Sequence, residues 1–103
     1  MALGRYLKTS YERKRYSVDY YDWLDKDEKI FTVSFQVAPE GELEIDAWSI
    51  DPDGTRVIFF AAFGIDGASY VVNVRATTTG GQHKEDEVLF DVDDLQDVVV
   101  MPI

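Results

Sequence analysis

The chain has 103 residues, 20 acidic and 10 basic side chains and a formal net charge of -10, a length that fits one domain. Its 46% hydrophobic and 14% aromatic content lies far from the apolar-poor composition of disordered chains. The absence of cysteine and the single histidine, His83, exclude a disulfide framework, a thiolate zinc site, a cysteine nucleophile and a multi-histidine metal cluster.

Residues 1–15 carry Arg5, Lys8, Arg13, Lys14 and Arg15 against Glu12, which is +4 and leaves -14 for the rest of the chain. No apolar run separates these cations, so the segment does not read as a secretory signal. With few apolar anchors (Leu3, Tyr6, Leu7, Tyr11) it is expected to be a basic arm, mobile in a monomer. In an assembly it would lie on the acidic face of a neighbour.

From Arg15 the pattern turns to period two, the mark of a strand. Arg15–Tyr20 alternates Tyr16, Val18 and Tyr20 with Arg15, Ser17 and Asp19. Tyr21–Glu28 breaks the alternation and reads as a turn of helix or a tight loop. Lys29–Ala38 resumes it, with Phe31, Val33, Phe35 and Val37 inward. Pro39-Glu40-Gly41 is a turn signal. Glu42–Ile50 follows, with Leu43, Ile45 and Ala47 on one face and Trp48 on the other. Asp51-Pro52-Asp53-Gly54 places proline and glycine as a type I turn with a glycine bulge requires.

Thr55–Phe63 is apolar on both faces and must be covered on both, by this chain or by a partner. Its run Val57–Phe63 is far too short to span a bilayer as a helix. Gly64–Ser69 is a loop, and Tyr70–Thr77 alternates again. Thr78–Gln82 is a hairpin connection with His83 in its polar continuation, and Glu87–Val92 is the last strand. Asp93–Asp97 is acidic, and an apolar tail, Val98-Val99-Val100-Met101-Pro102-Ile103, follows.

Short strands with regular turn punctuation predict an all-β, immunoglobulin-like antiparallel β-sandwich with extended N- and C-terminal arms. The division is a basic arm at 1–15, a sandwich at 16–95 and an apolar tail at 96–103. Tyr70, opening the penultimate strand after a glycine-containing loop, stands where such sandwiches place a tyrosine corner. The expected core is Phe31, Val33, Phe35, Ile45, Val57, Phe59, Tyr70, Val72, Val74 and Phe90.

The opening Tyr16-Ser17-Val18-Asp19-Tyr20-Tyr21-Asp22-Trp23-Leu24, followed by acidic residues and Ile30, resembles that of small phage tail proteins, the fibre–tail adaptors. The closing elements are similar too: Gly67-Ala68-Ser69-Tyr70-Val71-Val72, then Thr77-Thr78-Thr79-Gly80-Gly81, then Glu87–Val92. The resemblance covers about residues 16–95. It implies a structural, non-enzymatic component of a phage virion, joining tail or neck proteins to tail fibres in multiple copies. The partners it implies are other tail, neck or fibre proteins and further copies of the chain, with assembly in the host cytoplasm. An immunoglobulin-like capsid decoration or a carbohydrate-binding module is the alternative.

The residues themselves offer little chemistry. Many carboxylates are present, but none forms a distinguishable glycosidase pair, and His83 has no nucleophile motif beside it. Asp51 with Asp53, or Asp22, Asp25 and Asp27, could supply oxygens to calcium, but the full D-x-D-x-D-G loop is absent and DPDG reads first as a plain turn. Trp23, Trp48, Tyr20 and Tyr21 could stack a sugar, or pack. No cofactor, metal, nucleic-acid or membrane partner is expected, since a body of -14 repels phosphate. The expected partner-binding residues are Arg5, Lys8, Arg13, Lys14 and Arg15 in the arm. In the tail they are Val98, Val99, Val100 and Ile103, suited to adding a strand to a neighbour's open edge.

Overall fold

The computed structural model describes residues 2–94 and 101–102. Seven strands run in chain order: β1 Ala2–Lys8, β2 Arg13–Asp19, β3 Ile30–Ala38, β4 Leu43–Ile50, β5 Arg56–Phe63, β6 Ser69–Thr78 and β7 His83–Val92. They form two sheets, one ordered β1-β7-β6-β3 and the other β2-β5-β4. This is the immunoglobulin arrangement, with β2, β5 and β4 in the places of strands B, E and D, and β3, β6 and β7 in those of C, F and G. β1 runs parallel to β7, and every other pairing is antiparallel.

Alternation sorts the faces as period two requires. Val57, Phe59 and Ala61 of β5 meet Tyr70, Val72, Val74 and Ala76 of β6 and Val88, Phe90 and Val92 of β7 in one buried cluster. Tyr16 stands edge-on to Phe90 with centroids 4.9 Å apart, and Phe35 lies 5.1 Å from Phe59. Each ring buries a large apolar area, so these aromatics dominate the adhesion of the two sheets.

Tyr70 makes the corner that its position predicts. Its hydroxyl accepts the N–H of Ile65 at 2.8 Å and donates to Glu42 Oε1 at 2.5 Å. One phenol thereby ties the β5–β6 loop to the start of β4. Asp51 likewise builds its turn. Its carbonyl accepts from Gly54 N–H at 2.9 Å, and its carboxylate accepts from Thr55 and Arg56 N–H at 3.0 and 3.1 Å.

Four expectations are corrected. Residues 2–8 are not a free arm, because they form β1 along β7, with Tyr6 opposite Phe90. The turn that follows is closed on itself: Thr9 N–H donates to Glu12 Oε1 at 2.8 Å, and Glu12 N–H donates to Thr9 Oγ1 at 3.1 Å. Phe31 is 69% exposed, and Ile30 is buried in its stead. The register of β3 on β6 shifts between Ile30 and Thr32, and one extra residue in a strand moves its neighbour to the other face. The third correction has the same cause. The register of β4 on β5 shifts between Asp46 and Ser49, with Ala47 at φ 49°. Ala47 therefore leaves the inward row and is exposed. Finally, β7 begins at His83, so this histidine is a strand residue beside Thr77, with Nδ1 3.2 Å from Oγ1.

Candidate functional site

The cations expected to meet a partner all lie on β1 and β2, at adjacent edges of the two sheets, but in different states. Arg5 forms a fork on Asp91, Nε to Oδ2 at 2.5 Å and Nη2 to Oδ1 at 3.0 Å. Hydrogen bonds from Arg5, and then from Ser69, hold the Asp91 carboxyl below its ordinary range. Arg5 therefore anchors β1 to β7, and its exposed flank is what remains for a partner.

Lys8 is buried. Its ammonium donates to the carbonyls of Thr9 at 2.6 Å and Phe63 at 2.5 Å. Burial lowers its pKa, opposed by the carboxylates of Glu12 and Asp94. This side chain faces inward where a strand would ordinarily carry an apolar residue. With Gly4, the exposed Leu7 and the register irregularity between Ala2 and Gly4, it hides the period-two signal of β1 in the sequence. Lys8 is unavailable to a docking partner in this conformation.

Arg13 reaches over the outer face of its own sheet. Its guanidinium carbon lies 4.0 Å from the Phe60 ring centroid, and Nη2 meets Asp46 Oδ1 at 3.0 Å. The outer row of β5 (Ile58, Phe60, Ala62) is therefore partly roofed by this chain itself. The two-sided apolar character of β5 is met by burial inside and by an arginine outside. Lys14 and Arg15 remain exposed.

Beside them the sandwich is open. β2 pairs with β5 along one side, and among the described residues nothing pairs with the other. Between this edge and β1 lies a groove of about 210 Å³, lined by Leu3, Tyr6, Tyr16, Val18, Phe59 and Val88 together with the polar Ser17 and Asp19. Neither the groove nor the open edge is evident from the sequence. Both depend on which strand ends up beside which.

The expected tail contacts Val98, Val99, Val100 and Ile103 lie outside the described residues. Met101 and Pro102 are described, and both are exposed, Met101 at 73%.

The other candidates resolve into structure. Glu28 accepts from Thr78 Oγ1 and from Gln82 Nε2, fastening the 20–29 loop to the β6–β7 hairpin, and these bonds, Thr78 first, lower its pKa. Among the described residues no group of three or more histidine or acidic side chains is placed to hold a metal ion. Tyr20 is buried and Trp23 packs against the core, leaving Trp48 and Tyr21 exposed on separate elements.

Comparison with known proteins adds one match. Residues 8–91 fit the family model described as podophage GP4 fiber-tail adaptor protein gp77. No curated protein matches the chain.

Proposed function

The chain belongs to the podophage GP4 fiber-tail adaptor family, and from that membership we propose how it serves as a joint in the virion. It is a structural component of the phage tail that connects other tail and fibre proteins. The family match carries this reading, because it spans the sandwich from the end of β1 to the penultimate residue of β7. The protein acts without catalysis, in several copies, and without nucleic-acid or membrane partners. It is assembled in the host cytoplasm.

The contacts are made by the basic edge and the apolar tail. Lys14 and Arg15 supply exposed charge at that edge, and the acidic surfaces of neighbouring copies complement it. Val98, Val99, Val100 and Ile103 supply a β-branched segment suited to strand addition. The test is incorporation into particles. The paired charge reversals Lys14→Glu and Arg15→Glu, and separately deletion of residues 98–103, should leave the domain folded and sharply lower its occupancy in purified virions. Wild-type occupancy for both would refute the role of these termini.

A further inference from the structure

We propose that the open edge of β2 is the acceptor for the apolar tail of a second copy of this chain. The inference rests on the connector reading above and names the surface and the partner. In an immunoglobulin sheet, strand A lies beside strand B. Here β1 pairs with β7 in the opposite sheet, so the place beside β2 is vacant among the described residues. A vacant edge presents a row of backbone N–H and C=O groups, and an extended segment satisfies them by adding a strand.

The side-chain environment suits residues 98–103. Tyr16 and Val18 face the groove, which Leu3, Tyr6, Phe59 and Val88 complete. Strand period puts Val98 and Val100 on one face of the tail, toward this apolar lining, and Val99 on the other. The four residues Val98–Met101 span roughly 13 Å when extended, the length of β2 from Tyr16 to Asp19. Pro102 lacks an N–H, which suits a strand that becomes the new edge.

Charge sets the polarity. Arg13, Lys14 and Arg15 open β2, while Asp97 directly precedes the tail, Asp94 being held in its own chain by Ser10. Laying Asp97 against the basic end makes the tail run parallel to β2, with Val98–Met101 beside Tyr16–Asp19. The opposite polarity carries Asp97 to Asp19, a like charge. A second copy is the donor because Met101 and Pro102 of the same chain are exposed and line no part of the groove.

The lack of native cysteine makes the test direct. Full-length protein carrying Ser17→Cys is mixed with full-length protein carrying Val99→Cys and treated with a short bismaleimide. Both positions are on the outward parity, and Arg15→Cys replaces Ser17→Cys if the latter alters thermal unfolding. The expected result is a cross-linked pair of one chain of each kind. That product should disappear with excess synthetic peptide of residues 93–103 and weaken when the acceptor also carries Lys14→Glu. Failure to cross-link overturns the inference. So does an intramolecular product from a dilute chain carrying both substitutions, which would seat the tail on its own edge. If cross-linking fails while deletion of 98–103 still blocks incorporation into particles, the tail engages a different virion protein. The connector reading then stands without this acceptor.

Discussion

Arg13 and Asp46 meet at 3.0 Å across the top of Phe60, so that an arginine of β2 and an aspartate of β4 bracket the central strand between them. The pair is exposed on both sides, and such ion pairs contribute about 0–1 kcal/mol. The cation over the ring adds about 0.5–1 kcal/mol. Replacing Arg13 by alanine should therefore lower stability modestly, by ~1 kcal/mol in urea denaturation. Its larger effect should be the uncovering of Phe60, read as increased dye binding or self-association of the folded protein.

Tyr70→Phe should cost more than its single oxygen suggests. The Ile65 N–H loses its acceptor and Glu42 loses a donor in the same step; both bonds are only partly buried, and a hydrogen bond of this kind contributes about 0.5–1.5 kcal/mol. Chemical denaturation of the variant checks the size. Amide exchange should show the loss concentrated at Ile65 and its loop.

The bulge in β3 is testable by contrast. Phe59 is fully buried, whereas Phe31 is 69% exposed. Phe59→Ala should cost ~3–5 kcal/mol, while Phe31→Ser should stay within about 0.5 kcal/mol of the parent. Equal costs would mean that Phe31 belongs to the core after all.

Gly64→Ala probes the tight approach below the Tyr70 corner. Gly64 sits at φ 98°, and an added Cβ would lie 2.7 Å from Val92 Cγ2. Backbone strain and overpacking each cost roughly 1–3 kcal/mol, so thermal unfolding should shift down by several degrees. By contrast, Gly41→Ala meets no neighbour within 4 Å. It should carry only the strain of its positive φ.

The pH dependence has two limbs. Burial, and then the charge of Asp86, pushes the Tyr20 phenol up to about 12. A phenol raised above its unfolded value of about 10 supports the fold below that pH. The support is lost as pH rises from there toward the folded value, because the unfolded state releases its proton first. Tyr20→Phe should flatten this alkaline limb. It should also be neutral or slightly stabilising at pH 7, since the Tyr20 hydroxyl is buried with no hydrogen-bond partner among the described residues. At the acid end, Glu12, Glu28, Asp91 and Asp94 are all held low, each chiefly by hydrogen bonds. Their support is present above the ordinary carboxylate range and is lost as pH falls through it to the folded values. Thermal melts from pH 7 to pH 2 should show the decline, shallower in Glu28→Gln.

Period two along the chain determined most of the sandwich, because side-chain alternation is a local property that any covered sheet imposes. Val57, Phe59, Val72, Val74 and Phe90 were legible as core for that reason, Asp51–Gly54 as a turn, and Tyr70 as a corner. The 16–24 opening carried the family. What the chain hid were the features that depend on a partner strand far away in sequence. β1 gains its place from β7, and its inward Lys8 helps erase the apolar rhythm that would have marked it. The bulges at Ile30–Thr32 and Asp46–Ser49 flip Phe31 and Ala47 outward, and a bulge exists only relative to the strand opposite. The open edge of β2 and its groove are likewise properties of the packed sheets, since an edge is defined by what does not pair with it. Tertiary structure alone decided those, because pairing energy is summed over strands that the local sequence never brings together.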